Sequence, residues 1–534
     1  MLDTYTAMDV SSLFAVRHSP LFLLLLTLLV PAFSFLVLFS TKKKKLPPPS
    51  SNGAQRLPPS PPGLPILGHL HLLGSLPHRN LQSLAEAHGP VMLLRLGRVP
   101  TVVASSAAAA QEAMKTRDLA YASRAHMLMA DKLLYGQDMV LAPYGEYWRQ
   151  ARRVCVVHLL NPRRIRSFRR VREQEVAALL GLVRRSPPGG AVNLSDVITS
   201  YSNAVIRRAA FGDGDYWIDG DDGGEKLRKV LDDFEHLLGT ATVGEFVPWL
   251  AWLDTLAGVN AKATRTFQAL DGLLDRVIAV HRQRRLAGGR PVGDDGEDDR
   301  RDFVDVLLDV NESGEEAGGV HFDEIRIKAI MLDMFAAATD TTYTALEWAM
   351  ADLINHPLEM HKLQDEIRAA VNGANHVNED HLEQLRYLRA VIKESLRLHA
   401  PLPLLLPRET LEDTELLGYR VPARTRVVIN AWAIGRDPTT WERADEFVPE
   451  RFMDDPAEYG VVQDFSFVPF GAGRRGCPGA GFAAPSMELA LASLLYHFDW
   501  ELPNGTSKVD MREQFGISVR LKAPLHLVAK PWSP

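Results

Sequence analysis

Only two of the 534 residues are cysteine, Cys155 and Cys477. So few thiols exclude a disulfide framework and a four-thiolate metal cluster. An excess of one charge is also missing. Sixty basic side chains stand against 66 acidic ones, a formal net charge of −6, which leaves no electrostatic footprint for nucleic acid. No internal repeat is present, and no break in composition separates a second catalytic unit. There is no nucleotide-binding glycine fingerprint either. GLPILGHLHLLG, beginning at Gly63, lacks the tight G-x-G-x-x-G spacing and follows a proline-rich stretch. Two acidic stretches, GDGDYWIDGDDGG from Gly212 and GGRPVGDDGEDDRR from Gly288, lack the ordered ligand positions of a calcium loop and read as exposed loops.

What is present begins with 46% hydrophobic residues, enough for a substantial core. Leu21–Phe39 is an uncharged apolar run followed at once by Lys42–Lys45, with only Arg17 close before it. That pattern predicts a transmembrane anchor with residues 1–20 lumenal and the rest of the chain cytoplasmic. The four trailing lysines argue against a cleaved signal. The basic and proline-rich residues 40–62 then form a stiff linker. Residues 63–534 read as one mainly α-helical body with a smaller β-rich portion. Short β-rich runs fall within Leu93–Val103. Helical patterns cover Glu146–Leu160, Arg166–Val183, Phe322–Leu353 and Leu382–Leu398. Cys155, among apolar neighbours, reads as a small buried hydrophobe.

Chemistry concentrates around the other cysteine. In FGAGRRGCPG, the residues Phe470, Gly473, Arg475, Cys477 and Gly479 make an F-x-x-G-x-R-x-C-x-G pattern. Glycines let backbone approach a bulky planar group, and an arginine two positions before a thiolate offsets its charge. The pattern fits one axial thiolate beneath a haem iron. A buried thiol is the alternative, whereas a zinc site would need further sulfur or imidazole ligands. Trp148 and Arg152, four apart, share a helix face on which an indole N–H and a guanidinium could grip carboxylates. Ala337–Ala338–Thr339–Asp340–Thr341–Thr342 places hydroxyls in mid-helix, where bonding back to a carbonyl opens a local bend. Glu394 and Arg397 lie one turn apart on a helix.

Together and in this order, these motifs resemble those of membrane-bound plant cytochrome P450 monooxygenases, over nearly the whole chain. The resemblance implies the cytochrome P450 fold after an N-terminal transmembrane helix, in the endoplasmic reticulum membrane with the catalytic domain cytoplasmic. It implies haem b (iron protoporphyrin IX) with Cys477 as metal ligand, and Trp148, Arg152 and Arg475 on the haem propionates. Asp340 and Thr341 correspond to the acid–alcohol pair that supports proton delivery during oxygen activation. Where this chain has Ala338, the family more often has glycine. Glu394, Arg397 and Arg451 resemble a structural Glu–Arg–Arg network. Implied partners are NADPH-cytochrome P450 reductase, cytochrome b5, membrane lipid, O2 and a small organic substrate, with no nucleic acid. Arg474 is a candidate for reductase docking. SRAHMLMADKLLYG from Ser123, the helix before Ala337, Pro401–Leu406 and Phe515–Gly516–Ile517 correspond to substrate-facing regions and predict an apolar or aromatic substrate. APYGEYWRQARR and the segment after it most resemble grass enzymes that hydroxylate indole-derived (indolin-2-one-type) benzoxazinoid intermediates. Oxidation of herbicides, terpenoids or phenylpropanoids, a haem-thiolate isomerase or dehydratase, and a non-catalytic haem-binding or sensor protein are the other readings.

Overall fold

The computed structural model describes residues 56–187, 189–214, 223–288, 301–312, 321–455, 457–503 and 505–533. Its principal helices are α1 (Pro77–His88), α2 (Glu146–Val154), α3 (Arg169–Arg184), α4 (Leu194–Phe211), α5 (Gly223–Leu238) and α6 (Val259–Leu286). They continue with α7 (Phe303–Glu312), α8 (Glu324–Asn355), α9 (Pro357–Val371), α10 (Arg386–Leu398) and α11 (Ala480–His497).

The largest sheet draws on both halves of the chain. β1 (Val91–Leu96) and β2 (Val99–Ala104) form an antiparallel hairpin turned at Gly97, whose φ of 57° suits a residue without Cβ. β3 (Ser123–Arg124) lies at the opposite edge. A short strand β4 (Ala191–Asn193) belongs to a separate sheet. β5 (Arg408–Glu409), the hairpin β6 (Thr414–Leu416) and β7 (Tyr419–Val421), and β8 (Arg426–Ile429) follow α10. The five-stranded order is β1-β2-β8-β5-β3, with β2 and β8 parallel and Thr101 opposite Arg426. β9 (Phe498–Glu501), β10 (Glu513–Phe515), β11 (Val519–Leu521) and β12 (His526–Pro531) complete the chain, with β12 between β4 and β9.

α8 is the axis of the body, packed against α4, α10 and α11. Asp323 caps it, accepting from the Arg326 amide at 3.0 Å. From Ile327 to Leu353 almost every side chain is buried; the mid-helix exceptions are Ala337, Ala338 and Thr341. Those three share one face by helical spacing, and it is the face that borders the main cavity. The Thr339 and Thr341 hydroxyls donate back to the Phe335 and Ala337 carbonyls at 2.9 and 2.8 Å. The helix nevertheless runs unbroken through this stretch.

Several expected boundaries move for local reasons. The helix from Glu146 leaves α geometry after Val154 and closes with a π-type turn over Cys155–Leu159. The expected Leu382–Leu398 helix divides into Glu379–Leu382 and α10. The break arises because Glu366 of α9 accepts from the Tyr387 and Leu388 amides at 2.8 and 3.0 Å, capping α10 from another helix.

One part of the expected architecture is corrected. No helix among the described residues is long and apolar enough to cross a membrane. α8 has the length, but it carries Lys328, Asp333, Asp340, Glu347 and Asp352 along its buried course. The described fold is therefore mainly α with a smaller β portion and no membrane-spanning helix. Leu21–Phe39 and Lys42–Lys45, on which the anchor, the lipid contact and the endoplasmic reticulum placement rested, lie outside the described residues, and that placement is withdrawn. Most of both acidic stretches also lies outside them. The end of the proline-rich segment lies along the body: Leu93 donates to the Pro59 carbonyl at 2.8 Å and Arg420 to that of Arg56 at 2.9 Å.

Candidate active site

Cys477 sits in a loop whose course is set by glycine. Gly471 and Gly473 take φ values of 63° and 68°. A Cβ on Gly473 would stand 2.2 Å from the Met114 carbonyl oxygen, so any other residue there forces the backbone apart. The Cys477 amide donates to the Phe470 carbonyl at 2.9 Å, and α11 starts at Ala480. The sulfur thus meets the amides of Gly479 and Ala480 at a helix start and opens onto a cavity that continues to solvent. Enclosure pushes its thiol up from the ordinary value, while those amides and Arg152 pull the other way.

Across the same cavity, α2 presents Trp148 and Arg152. Arg152 donates to the Gly476 carbonyl at 2.7 Å, which ties α2 to the cysteine loop. The Arg475 guanidinium lies 4.2 Å from the centre of the Trp148 ring. It donates to the carbonyls of Ala122 and Ala142, both at 2.7 Å. Two N–H groups here are buried without a protein partner, Trp148 Nε1 and Arg475 Nη1. Buried donors of this kind are costly unless a ligand accepts from them.

Two further arginines complete the wall, and motif reading had not assigned either to the site. Arg124 of β3 donates to Val140 and Leu406 carbonyls at 3.0 and 2.7 Å; Arg408 of β5 donates to that of Ala472 at 2.9 Å. Both line the cavity. Burial, then mutual repulsion, holds Arg124 well below the usual guanidinium range and brings Arg475 down to about 9. Burial lowers Arg408 to about 10. Asp118 answers part of this charge, standing 3.5 Å from Arg408 and 3.0 Å from Arg474, and Asp138 acts on Arg124 and Arg475. Four guanidiniums facing one cavity, three of them buried and that of Arg152 partly so, suit a planar group bearing two carboxylates, with a thiolate beneath it. The residues present therefore fit haem. Neither Arg124 nor Arg408 belongs to a local motif; only β3–β5 pairing brings them side by side.

The expected acid–alcohol pair is divided between two faces of α8. Thr341 borders the cavity, whereas Asp340 is buried on the side away from it, accepting from the Ser518 hydroxyl. Asp333, two turns earlier on the cavity wall, accepts from the Met139 amide at 2.6 Å; burial and nearby Asp138 hold its carboxyl well above the usual range. Glu394, Arg397 and Arg451 come together outside the cavity, with Arg451 Nε 3.2 Å from Glu394 Oε1. Arg474 is half-exposed beside Asp118.

Of the segments expected to face substrate, Met334 on α8 and Pro401, Leu402, Leu405 and Leu406 line the cavity, and Ala337 and Ala338 follow Met334 on the same wall. From SRAHMLMADKLLYG only Arg124 does, while Met139 and Val140 follow just beyond it. Phe515 instead stacks on His78, its ring centre 6.3 Å away, and is not among the lining residues.

A mainly helical body with a cysteine loop beneath α8, and basic groups gathered on the cavity wall between them, defines the class of haem-thiolate oxygenases. A family model described as Cytochrome P450 matches residues 58–528. The chain belongs to the cytochrome P450 family and is a cytochrome P450 monooxygenase of plant type. It is 44% identical to Cytochrome P450 736A117 of Prunus mume, over 93% of this chain and 94% of that protein. It is 46% identical to Cytochrome P450 71A6 of Nepeta racemosa, over 89% and 94%. It is 42% identical to (+)-menthofuran synthase of Mentha piperita, again over 89% and 94%. A solved zebra fish cytochrome P450 with abiraterone superposes with a TM-score of 0.72 at 25% identity, covering 86% of this chain and all of that one. Proteins of this family carry haem on a cysteine thiolate and typically draw electrons from cytochrome P450 reductase.

Proposed function

We propose that this enzyme hydroxylates a small apolar or aromatic specialised metabolite, with Cys477 as the thiolate that would hold haem b. In this reading Trp148, Arg152 and Arg475 hold the propionates, joined by Arg124 and Arg408, and Asp340 and Thr341 deliver protons. The catalytic body is residues 63–534. The observation that carries the reading is the cavity itself, where Cys477 faces a wall of buried arginines with two unpartnered N–H donors.

Bound haem supplies dioxygen activation, leaving one oxygen atom in the product and the other in water. The chain's own residues hold, orient and protonate. Trp148 Nε1 and Arg475 Nη1 would donate to the haem carboxylates, whose charge would also relieve repulsion among the guanidiniums. The Gly479 and Ala480 amides and Arg152 stabilise negative charge on the Cys477 sulfur. Thr341 keeps its proton on the Ala337 carbonyl at rest and must turn its O–H into the cavity to pass it on. Apolar walls from Met334, Leu402, Leu405 and Leu406 exclude water and orient an apolar substrate. Glu394, Arg397 and Arg451 hold the segment after α10 and do not touch the reaction. NADPH-cytochrome P450 reductase is the electron donor, with cytochrome b5 as a second one.

The narrower substrate is an indole-derived, indolin-2-one-type intermediate, on the likeness of the α2 segment to grass enzymes of benzoxazinoid metabolism. Substrates of the kind handled by the relative named (+)-menthofuran synthase are the second reading. Protein reconstituted with reductase, NADPH and oxygen is offered both classes, and products are read by mass spectrometry. Product that forms without NADPH or oxygen overturns the monooxygenase reading. Turnover of other classes with no turnover of indolin-2-ones overturns only the narrow one.

A further inference from the structure

Asp118 stands just outside the cavity wall, and its two carboxylate oxygens meet different groups. Oδ2 accepts from the Arg474 amide at 3.1 Å and from the half-exposed Arg474 guanidinium at 3.0 Å. Oδ1 lies 3.5 Å from the buried Arg408 guanidinium. That oxygen is itself buried and accepts no hydrogen bond from the described residues. Asp118 is 7% exposed and does not line the cavity, whereas Arg408 does, so the carboxylate sits behind a guanidinium that faces the cavity. Gly473 allows this approach: a Cβ there would stand 2.7 Å from Asp118 Oδ1. A buried carboxylate oxygen without a donor is costly unless its charge is offset, and here the Arg408 cation offsets it.

We infer that Asp118 is a positioning residue for the cofactor, a fixed counter-charge that steadies Arg408 in the apoprotein and limits how strongly the cavity wall holds the haem carboxylates. This rests on the proposed place of Arg408 among the groups that hold them. Arg124, Arg152 and Arg475 face the same cavity, and Arg408 repels Arg124. A carboxylate behind this layer lowers its self-repulsion without taking the ligand's place. The same negative charge opposes the ligand's carboxylates and disfavours an added electron on the iron. One charge thus stabilises the apoprotein and weakens the hold on the cofactor, two effects of opposite sign.

Asp118→Asn keeps the shape of the side chain and an acceptor for the Arg474 amide, and removes the charge. In the full-length enzyme the ferric–ferrous midpoint potential should move positive. Haem transfer to apomyoglobin should slow roughly three- to thirtyfold, the order for one charge acting across the width of a guanidinium group. The apoprotein should unfold at a lower temperature. A residue that only braces the fold would instead quicken haem loss as the fold weakens, and that result overturns the inference. Arg408→Gln and the double variant locate the effect. With Arg408 replaced, Asp118→Asn should change haem transfer far less. An undiminished change there shows that the carboxylate acts through another group, and overturns the inference. If Arg408→Gln alters potential and transfer while Asp118→Asn alters neither, the role of Asp118 falls and that of Arg408 stands. If neither variant alters them, the propionate role of Arg408 fails and this inference with it. Should Asp118→Asn not accumulate as folded protein, the double variant, with the excess cation removed, should; failure of both also overturns it.

Discussion

Arg397 spends its whole guanidinium inside the protein, two of its bonds on Glu394 one helical turn before it, at 2.7 and 2.8 Å. Both side chains are fully buried. The remaining donors reach the carbonyls of Gly435, Ala444 and Glu446 at 2.5, 2.6 and 3.0 Å. Glu394 also accepts from the Val448 amide at 2.8 Å and from Arg451. This pair fastens α10 to the chain that leads to the cysteine loop.

Lysine cannot replace that fork of donors. Arg397→Lys is expected to cost about 3–5 kcal/mol, the usual range for breaking a buried pair. Thermal unfolding should show a lower midpoint, and haem content per folded chain should fall. Full haem content with an unchanged midpoint would show that the network is dispensable.

Cys477→Ser keeps the side-chain size but removes the thiolate. The folded protein should accumulate, since Cys477 opens onto the cavity and is not packed in the core. Its reduced carbon-monoxide spectrum should lose the red-shifted Soret band of a thiolate-ligated haem. Persistence of that band would remove Cys477 from the site.

Trp148→Phe deletes one N–H and keeps an aromatic ring beneath Arg475. Apoprotein stability should change little, because the N–H has no protein partner. Loss of a hydrogen bond to a charged group is worth about 1.5–3 kcal/mol, so haem transfer to apomyoglobin should quicken by roughly ten- to a hundredfold. Equal transfer rates in the two proteins would contradict the propionate contact.

Glu347 of α8 provides a test on stability alone. Its carboxyl accepts from the Ser195 hydroxyl and is 1% exposed, and burial raises it from 4.5 to about 7. A folded pKa above the unfolded one means that the folded state retains a proton which the unfolded state has lost. The group's favourable contribution is full below about pH 4.5 and disappears as pH rises through about 7. Glu347→Gln cannot titrate. The stability of wild type relative to this variant should therefore drop by about 3 kcal/mol between those limits, read from denaturant unfolding at each pH. A difference that stays constant with pH would refute the raised value.

The sequence by itself determined the class. Cys477 with its glycines, the Trp148–Arg152 turn, the mid-helix threonines and the Glu394–Arg397 turn are short-range patterns, and short-range geometry is what residue order controls directly. The long apolar helix around Asp340 was legible for the same reason. What tertiary structure alone decided depends on distant segments meeting. Arg124 and Arg408 join the cavity wall because β3 pairs with β5. The break before α10 exists because Glu366 of another helix caps it. Thr341 faces the cavity while Asp340 turns to Ser518, because consecutive helix positions point about 100° apart. Periodicity shows that a helix has faces, and only packing decides which face meets the cavity and which is buried against the rest of the protein.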